Sequence, residues 1–368
     1  MTALNLLYTD IEDDLRATLR DLLADLCTPA AVSAVYDGDR SLVAPLWKAV
    51  AADLGLAGLL VPEALGGAGA SAREAAVVLE ELGRASAPVP FLTSAVVATM
   101  LLLNAGDDLL PAVASGERTA ALAIPLSTAP HALLAAVATD SQQRLTGVVT
   151  SVAGAAEADT LLVPASTADR IALYAVPVAS ASVAPVVSLD MTRQLADVTL
   201  DYAQGRLVLA DAEPAIRAAL RAAAALLASE QLGVSRWCLE TTVAYLKERR
   251  QFGRPVGGFQ ALKHRLADLY TGIESAAAAA RYAAAALAAG DLDLPVAASV
   301  AKAFCGDLAV LAAEEAIQLH GGIGMTWEYP AHLYLKRAKA DQLALGTPAE
   351  HRAQLAELVD LTMRAPGA

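Results

Sequence analysis

The sequence predicts an α+β fold in three consecutive parts: helical, then β, then helical. Apolar residues recur at helical spacing up to about residue 117 and again from about residue 212. Between these stretches the pattern changes to short runs rich in β-branched residues. Close to a quarter of the chain is alanine, the best helix former, which favours helix wherever the pattern allows both. A length of 368 residues suggests two or three units. We expect them at residues 1–117, 118–211 and 212–368.

In the first part, Leu15, Leu19, Leu22 and Leu23 form one helical stripe, and Val43, Trp47, Val50 and Leu54 form another. Asp37-Gly38, the glycines at 66, 67 and 69, and the prolines at 88 and 90 mark turns. The middle part carries candidate strands at 120–124, 144–149, 160–163, 171–176 and 198–202, which predict an antiparallel β domain. In the third part Pro214 can occupy a first helical turn, and 215–250 contains no proline and one glycine. Further helices are expected at about 258–289, 295–320, 330–343 and 349–363.

Composition excludes several functions. With 27 Lys+Arg against 40 Asp+Glu, the net charge of −13 argues against nucleic acid as a partner. An anionic ligand would have to be met by local positive groups. Cys27, Cys238 and Cys305 are too far apart for a metal or redox motif and are expected to be isolated buried thiols. The five histidines show no metal-ligand spacing, so no metal is expected. The acidic, periodic N-terminus gives no sign of a secretory leader. Charges break the alanine-rich stretches, so neither a bilayer span nor membrane binding is expected. A cytoplasmic location follows as the expectation.

Sequence motifs of the common nucleotide folds and of the serine-hydrolase elbow are missing. Two unusual loops remain. The first follows a long helix and contains Arg249, Arg250, Gln251, Phe252, Gly253, Arg254 and Pro255, with Gln260 opening the next helix. Forked guanidinium donors beside a flat apolar ring could hold a phosphate. Equally, the glycine and proline could turn the chain while the arginines cap a helix end. The second loop runs from Gln318 through Gly321, Gly322 and Gly324 to Glu328, Tyr329 and Pro330. Its glycines let backbone N–H groups approach an anion, or they simply end a helix.

Together these loops resemble the acyl-CoA dehydrogenase family, through R-x-Q-F-G-x-P with a following Gln, and Q-x-x-G-G-x-G with a following Glu-Tyr-Pro. The stretch from Gly55 to Gly69 and the Glu80-Glu81-Leu82-Gly83-Arg84 run resemble that family's first domain. The resemblance implies a helical domain, a β domain and a C-terminal four-helix bundle. It implies FAD as cofactor and an acyl-CoA thioester as substrate. A Glu removes the α-proton while the β-hydrogen passes to the flavin as hydride. It also implies that a neighbouring subunit completes the adenosine-pyrophosphate end of each FAD. On this chain the neighbour's contribution would be Arg249, Gln251, Phe252, Gln260, Gln318, Gly321, Gly322 and Gly324.

Other parts of the family pattern are missing. The flavin-end motif T-E-P-x-x-G-S-D keeps only Pro125, and the Trp and Thr of W-I-T fall at Ser151 and Ala153. The place of the catalytic Glu is Leu345, which cannot accept a proton. An alternative site used by some members, on the long helix, falls near Ala223 or Ala224. Glu230, two turns further along, is a weak candidate for a relocated base. Glu328 belongs to the Glu-Tyr-Pro signature and is not expected to be catalytic. Asp341 is expected to be a surface acid. The pattern is similar to the beta subunit of actinobacterial alpha2beta2 acyl-CoA dehydrogenases acting on CoA thioesters of steroid side chains. That likeness implies a catalytic alpha subunit as partner and electron-transfer flavoprotein as electron acceptor. Two alternatives stay open: a homomeric enzyme with a displaced base, and a scaffold without redox chemistry.

Overall fold

The computed structural model describes residues 4–134, 136–167 and 170–361. Six helices build the first part: α1 (Asp10–Leu26), α2 (Pro29–Ala34), α3 (Val43–Lys48), α4 (Ala72–Arg84), α5 (Thr99–Ala105) and α6 (Leu110–Ala114). Capping boxes start α1 and α4: Thr9 pairs with Glu12, and Ser71 with Glu74, satisfying N–H groups that a helix start leaves free.

The middle part is one sheet of eight strands: β1 (Ala120–Leu122), β2 (Val137–Thr139), β3 (Arg144–Ala153), β4 (Thr160–Ser166), β5 (Ile171–Pro177), β6 (Ser182–Val186), β7 (Leu195–Gln204) and β8 (Arg206–Leu209). Their order is β6-β7-β3-β2-β4-β5-β8, with β1 beside β4. The sheet is mixed, which corrects the antiparallel expectation: β1 and β2 both run parallel to β4. The chain between each of them and β4 is long enough to return to the same end of the sheet, as a parallel pair requires. β2, β6 and β8 had no counterpart among the expected strands. β2 has three residues, and β6 is largely exposed, so neither shows the alternation that marks a half-buried strand.

The third part begins with α7 (Glu213–Glu248), continues through a small hairpin of β9 (Arg250–Gln251) and β10 (Arg254–Pro255), and ends with α8 (Gln260–Ala289), α9 (Leu294–His320), α10 (Ala331–Leu343) and α11 (Pro348–Leu358). α7, α8, α9 and α10 form the four-helix bundle, and α11 lies against α9. Alanines at 276, 280, 283, 297, 301, 309, 312 and 316 dominate its core, where small side chains let helices approach closely. The segment Leu294–Met325 is long and apolar enough to cross a membrane, and 72% of that apolar stretch is buried inside the fold.

α7 also joins the third part to the first. Where it crosses α4 the backbones touch. A Cβ on Gly233 would lie 1.9 Å from the Glu80 carbonyl oxygen, and one on Gly83 would lie 2.2 Å from that of Glu230. This crossing fixes the cleft formed by the first part, the sheet and the bundle.

Candidate cofactor site

α7 ends at Glu248, and the chain reverses through β9 and β10 with Arg254 opposite Gln251. The two turn residues, Phe252 and Gly253, have φ of 53° and 75°. Positive φ at both positions is the geometry of a tight two-residue hairpin. Glycine adopts it freely, but Phe252 does so at a steric cost and is 90% exposed. Its ring meets that of Phe259 edge-on at 6.1 Å, and the Arg254 guanidinium lies 3.9 Å from the Phe259 ring centre. Arg249, Arg250, Gln251 and Gln260 are exposed. Among the described residues none of Arg249, Arg250 and Arg254 forms an ion pair.

α9 ends at His320, where Gly321 takes φ 66° and the chain enters a short 3-10 turn, Gly321–Met325. Gln318, Gly321 and Gly322 are exposed, and a Cβ on either glycine would meet nothing within 4 Å. Gly324 differs. It is buried, and a Cβ there would lie 2.4 Å from the Ile317 carbonyl oxygen, so it shapes the turn rather than offering surface. Aromatic stacking brings the two loops to one end of the bundle. The Tyr245 ring of α7 lies 4.4 Å from that of His320, which lies 4.2 Å from Tyr329.

Leu345 lies in the cleft, away from these loops. It has φ 56° and is 4% exposed. Its N–H donates to the Leu126 carbonyl at 2.8 Å, and the Gly346 N–H donates to that of Ser127 at 3.1 Å. The Leu126 N–H in turn donates to the Ser151 carbonyl at 3.0 Å. From the other side, Lys302 Nζ donates to the Gln342 and Gly346 carbonyls at 3.1 Å each, and His351 Nε2 donates to the Leu345 carbonyl at 2.9 Å. The Leu345 side chain faces a cavity of about 40 Å³ walled by Val97, Leu122, Ile124 and Leu220. That is room for one or two waters. A second cavity of about 260 Å³, lined by Ser127, Ser151, Asp190 and Arg193, lies along the same seam. No aromatic ring lines either cavity, and Thr93 and Ala153 both face the smaller one.

Against known proteins, the model of the acyl-CoA dehydrogenase N-terminal domain matches residues 9–117, and that of the acyl-CoA dehydrogenase C-terminal domain matches residues 214–359. The chain belongs to the acyl-CoA dehydrogenase family. It is 36% identical to acyl-CoA dehydrogenase IpdE2 of Mycobacterium tuberculosis over 91% of this chain and 93% of that protein. Among solved structures, a variant of the Tcur3481-Tcur3483 steroid acyl-CoA dehydrogenase superposes with a TM-score of 0.84 at 32% identity, covering 96% of this chain and 98% of that one. A chain of the ChsE4-ChsE5 complex from Mycobacterium tuberculosis gives 0.85 at 26% identity, covering 98% and 100%.

The cofactor of this family is FAD, and the two ends of the molecule fit this chain differently. The exposed guanidiniums, Phe252 and the open glycines suit an adenosine-pyrophosphate. The cleft suits an isoalloxazine less well, because no aromatic ring lines either of its cavities and backbone hydrogen bonds tie the Leu345–Gly346 turn to Leu126 and Ser127.

Glu230 and Asp341 lie in a buried ion-pair network. Glu230 is 1% exposed and lines neither cavity. Its carboxylate accepts from Arg193 at 2.6 Å and from Arg337 at 2.5 Å, and these guanidiniums hold its pKa below the usual carboxylate range against the effect of burial. A carboxylate held this way is a poor general base. Asp341, expected at the surface, is fully buried, and accepts from Arg193 at 3.2 Å. Asp190 completes the group, 3.4 Å from Arg337. α10 turns Asp341 inward because Arg337, one turn earlier on the same face, needs partners in the core. Glu328 is exposed on the glycine loop. The network had one legible sign in the sequence, the i, i+4 spacing of Arg337 and Asp341. Arg193 and Asp190 come from a β-domain loop that nothing local connects to the bundle.

Proposed function

We propose that this chain is the beta subunit of a heteromeric FAD-dependent acyl-CoA dehydrogenase, completing the adenosine-pyrophosphate end of FAD held mainly by a catalytic alpha subunit. The observation that carries this reading is the contrast between the two half-sites. Leu345, at the position that the resemblance gives to the base, faces a cavity of about 40 Å³ that no carboxylate lines, whereas the residues that would reach a neighbour's cofactor stand exposed at one end of the bundle. Loss of function in general would give no reason for the second half to keep its form. The similar structures named above as Tcur3481-Tcur3483 and ChsE4-ChsE5 are each of two named chains, and the first is called a steroid enzyme. We extend this to a CoA thioester of a steroid side chain as substrate and to electron-transfer flavoprotein as acceptor.

In this arrangement Arg249 supplies forked, charge-assisted donors to the pyrophosphate, and Gln251, Gln260 and Gln318 supply polar contacts along it. Phe252 places an apolar ring beyond the surface of its own subunit, and Gly321 and Gly322 leave open space where a side chain would stand, the Gly321 N–H itself donating to the Gln318 carbonyl. FAD, when bound, accepts the hydride. The proton acceptor belongs to the partner, since no carboxylate lines the cavity beside Leu345. The test is flavin content of the complex co-expressed with its catalytic partner. Arg249→Ala is expected to lower bound FAD by about tenfold or more, the scale of one lost charged contact, and Phe252→Ala to lower it through the loss of apolar contact area. Undiminished flavin in both variants would rule the reading out.

A further inference from the structure

On the other side of the Leu345–Gly346 turn lies a separate cavity of about 130 Å³. Arg221 and Ala224 of α7, Ser299 of α9, His351 and Gln354 of α11, and His131 line it. No carboxylate does. Among the described residues Arg221 forms no ion pair, although α7 places it half-buried at the cavity wall. The first turn of the 27-residue α9 borders the same space, adding the positive end of a long helix.

The second observation is an unpartnered atom. His351 is 2% exposed, and its Nε2 is committed to the Leu345 carbonyl at 2.9 Å. Its other ring nitrogen, Nδ1, is buried without a partner. A buried polar atom with no protein partner at the wall of a cavity can take its partner from a bound ligand. We propose that this cavity binds a small oxyanion, held by the Arg221 guanidinium and by an N–H that His351 gains at Nδ1.

The proton balance follows from the ring. Without an anion beside it His351 is neutral, with its pKa lowered to about 4 chiefly by burial; the hydrogen bond to the Leu345 carbonyl and Glu350 oppose the depression, and Lys302 and His131 add to it. Glu350 is exposed and already accepts from Thr347. An anion beside Nδ1 favours the imidazolium, which donates from both nitrogens, to the oxyanion and to the Leu345 carbonyl. Binding therefore takes up a proton, and affinity falls as pH rises. Because the same ring holds the Leu345 carbonyl, occupancy also tightens the strained turn at the cleft.

Calorimetric titration of the purified protein with sulfate, which does not titrate in this range, against chloride at matched ionic strength tests the proposal. One saturable sulfate per chain is expected, binding more weakly at pH 7.5 than at pH 5.5. Arg221→Gln and, separately, the exposed-side variant His131→Gln are expected to weaken it, the former by about tenfold or more. Acetate run in parallel shows whether a tetrahedral or a planar oxyanion fits better. No saturable sulfate binding at either pH would overturn the proposal. So would unchanged binding in a folded Arg221→Gln protein.

Discussion

Two guanidiniums, Arg193 and Arg337, meet three carboxyls, Glu230, Asp341 and Asp190, in the interior behind the cleft. With one acid in excess, a proton belongs on one of them. Burial and the neighbouring Glu230 charge raise Asp341 to about 7, while the arginines hold Glu230 ionised. The two acids should therefore respond differently to removal of their charge. Glu230→Gln removes the carboxylate that both guanidiniums share, so Asp341 must give up its proton to restore the balance, and the weakened hydrogen bonds to two buried charges are expected to cost about 1.5–3 kcal/mol in denaturant unfolding. Asp341→Asn mimics the protonated form and is expected to cost less than about 1 kcal/mol at pH 6. The pH dependence follows with a definite sign. A raised folded pKa gives stability that is complete below the ordinary value of 3.8 and is lost as pH rises through about 7. Asp341→Asn should remove that decline between pH 4 and 7. A parallel pair of stability–pH curves would show the proton to be elsewhere. Leu345→Glu asks a related question of the cleft. It puts a carboxylate into an apolar cavity without flavin contacts, and is expected to destabilise the chain while giving no dehydrogenase activity in the absence of a partner. Leu345 could be singled out in the sequence because it lies at a fixed spacing from Glu-Tyr-Pro. The burial of Asp341 was not legible there, because Arg193, whose guanidinium it accepts from, lies 148 residues away in the chain.

Among the elements, α7 carries the most. It forms one side of the bundle, presents Leu220 and Arg221 to two different cavities, and crosses α4 at backbone contact through Gly83 and Gly233. Gly233→Ala would force a methyl group to within 1.9 Å of the Glu80 carbonyl oxygen unless the helices separate. A loss of about 1–3 kcal/mol in unfolding free energy is expected, and a stability equal to that of the unsubstituted protein would mean the crossing is looser than drawn. The long helices were readable because a 3.6-residue period over 27 to 36 residues leaves no alternative. The hairpin Arg250–Pro255 was expected only as a turn. Its strands are two residues each, too short for any periodic signal.

At the scale of the molecule, the exposed hairpin and glycine loop stand at one end of the bundle, and a closed cleft stands between the sheet and α7. Nothing in composition separates a complete enzyme from half of one, because the same length, charge and alanine content serve both. The distinction rests on a handful of positions, Ser151, Ala153 and Leu345 against Arg249, Phe252 and Gly321. Flavin stoichiometry tests it most directly. The chain purified alone should carry little or no FAD by its visible absorption spectrum, and the complex with its catalytic partner should carry one FAD per heterodimer. One FAD per chain in the isolated protein would contradict the account.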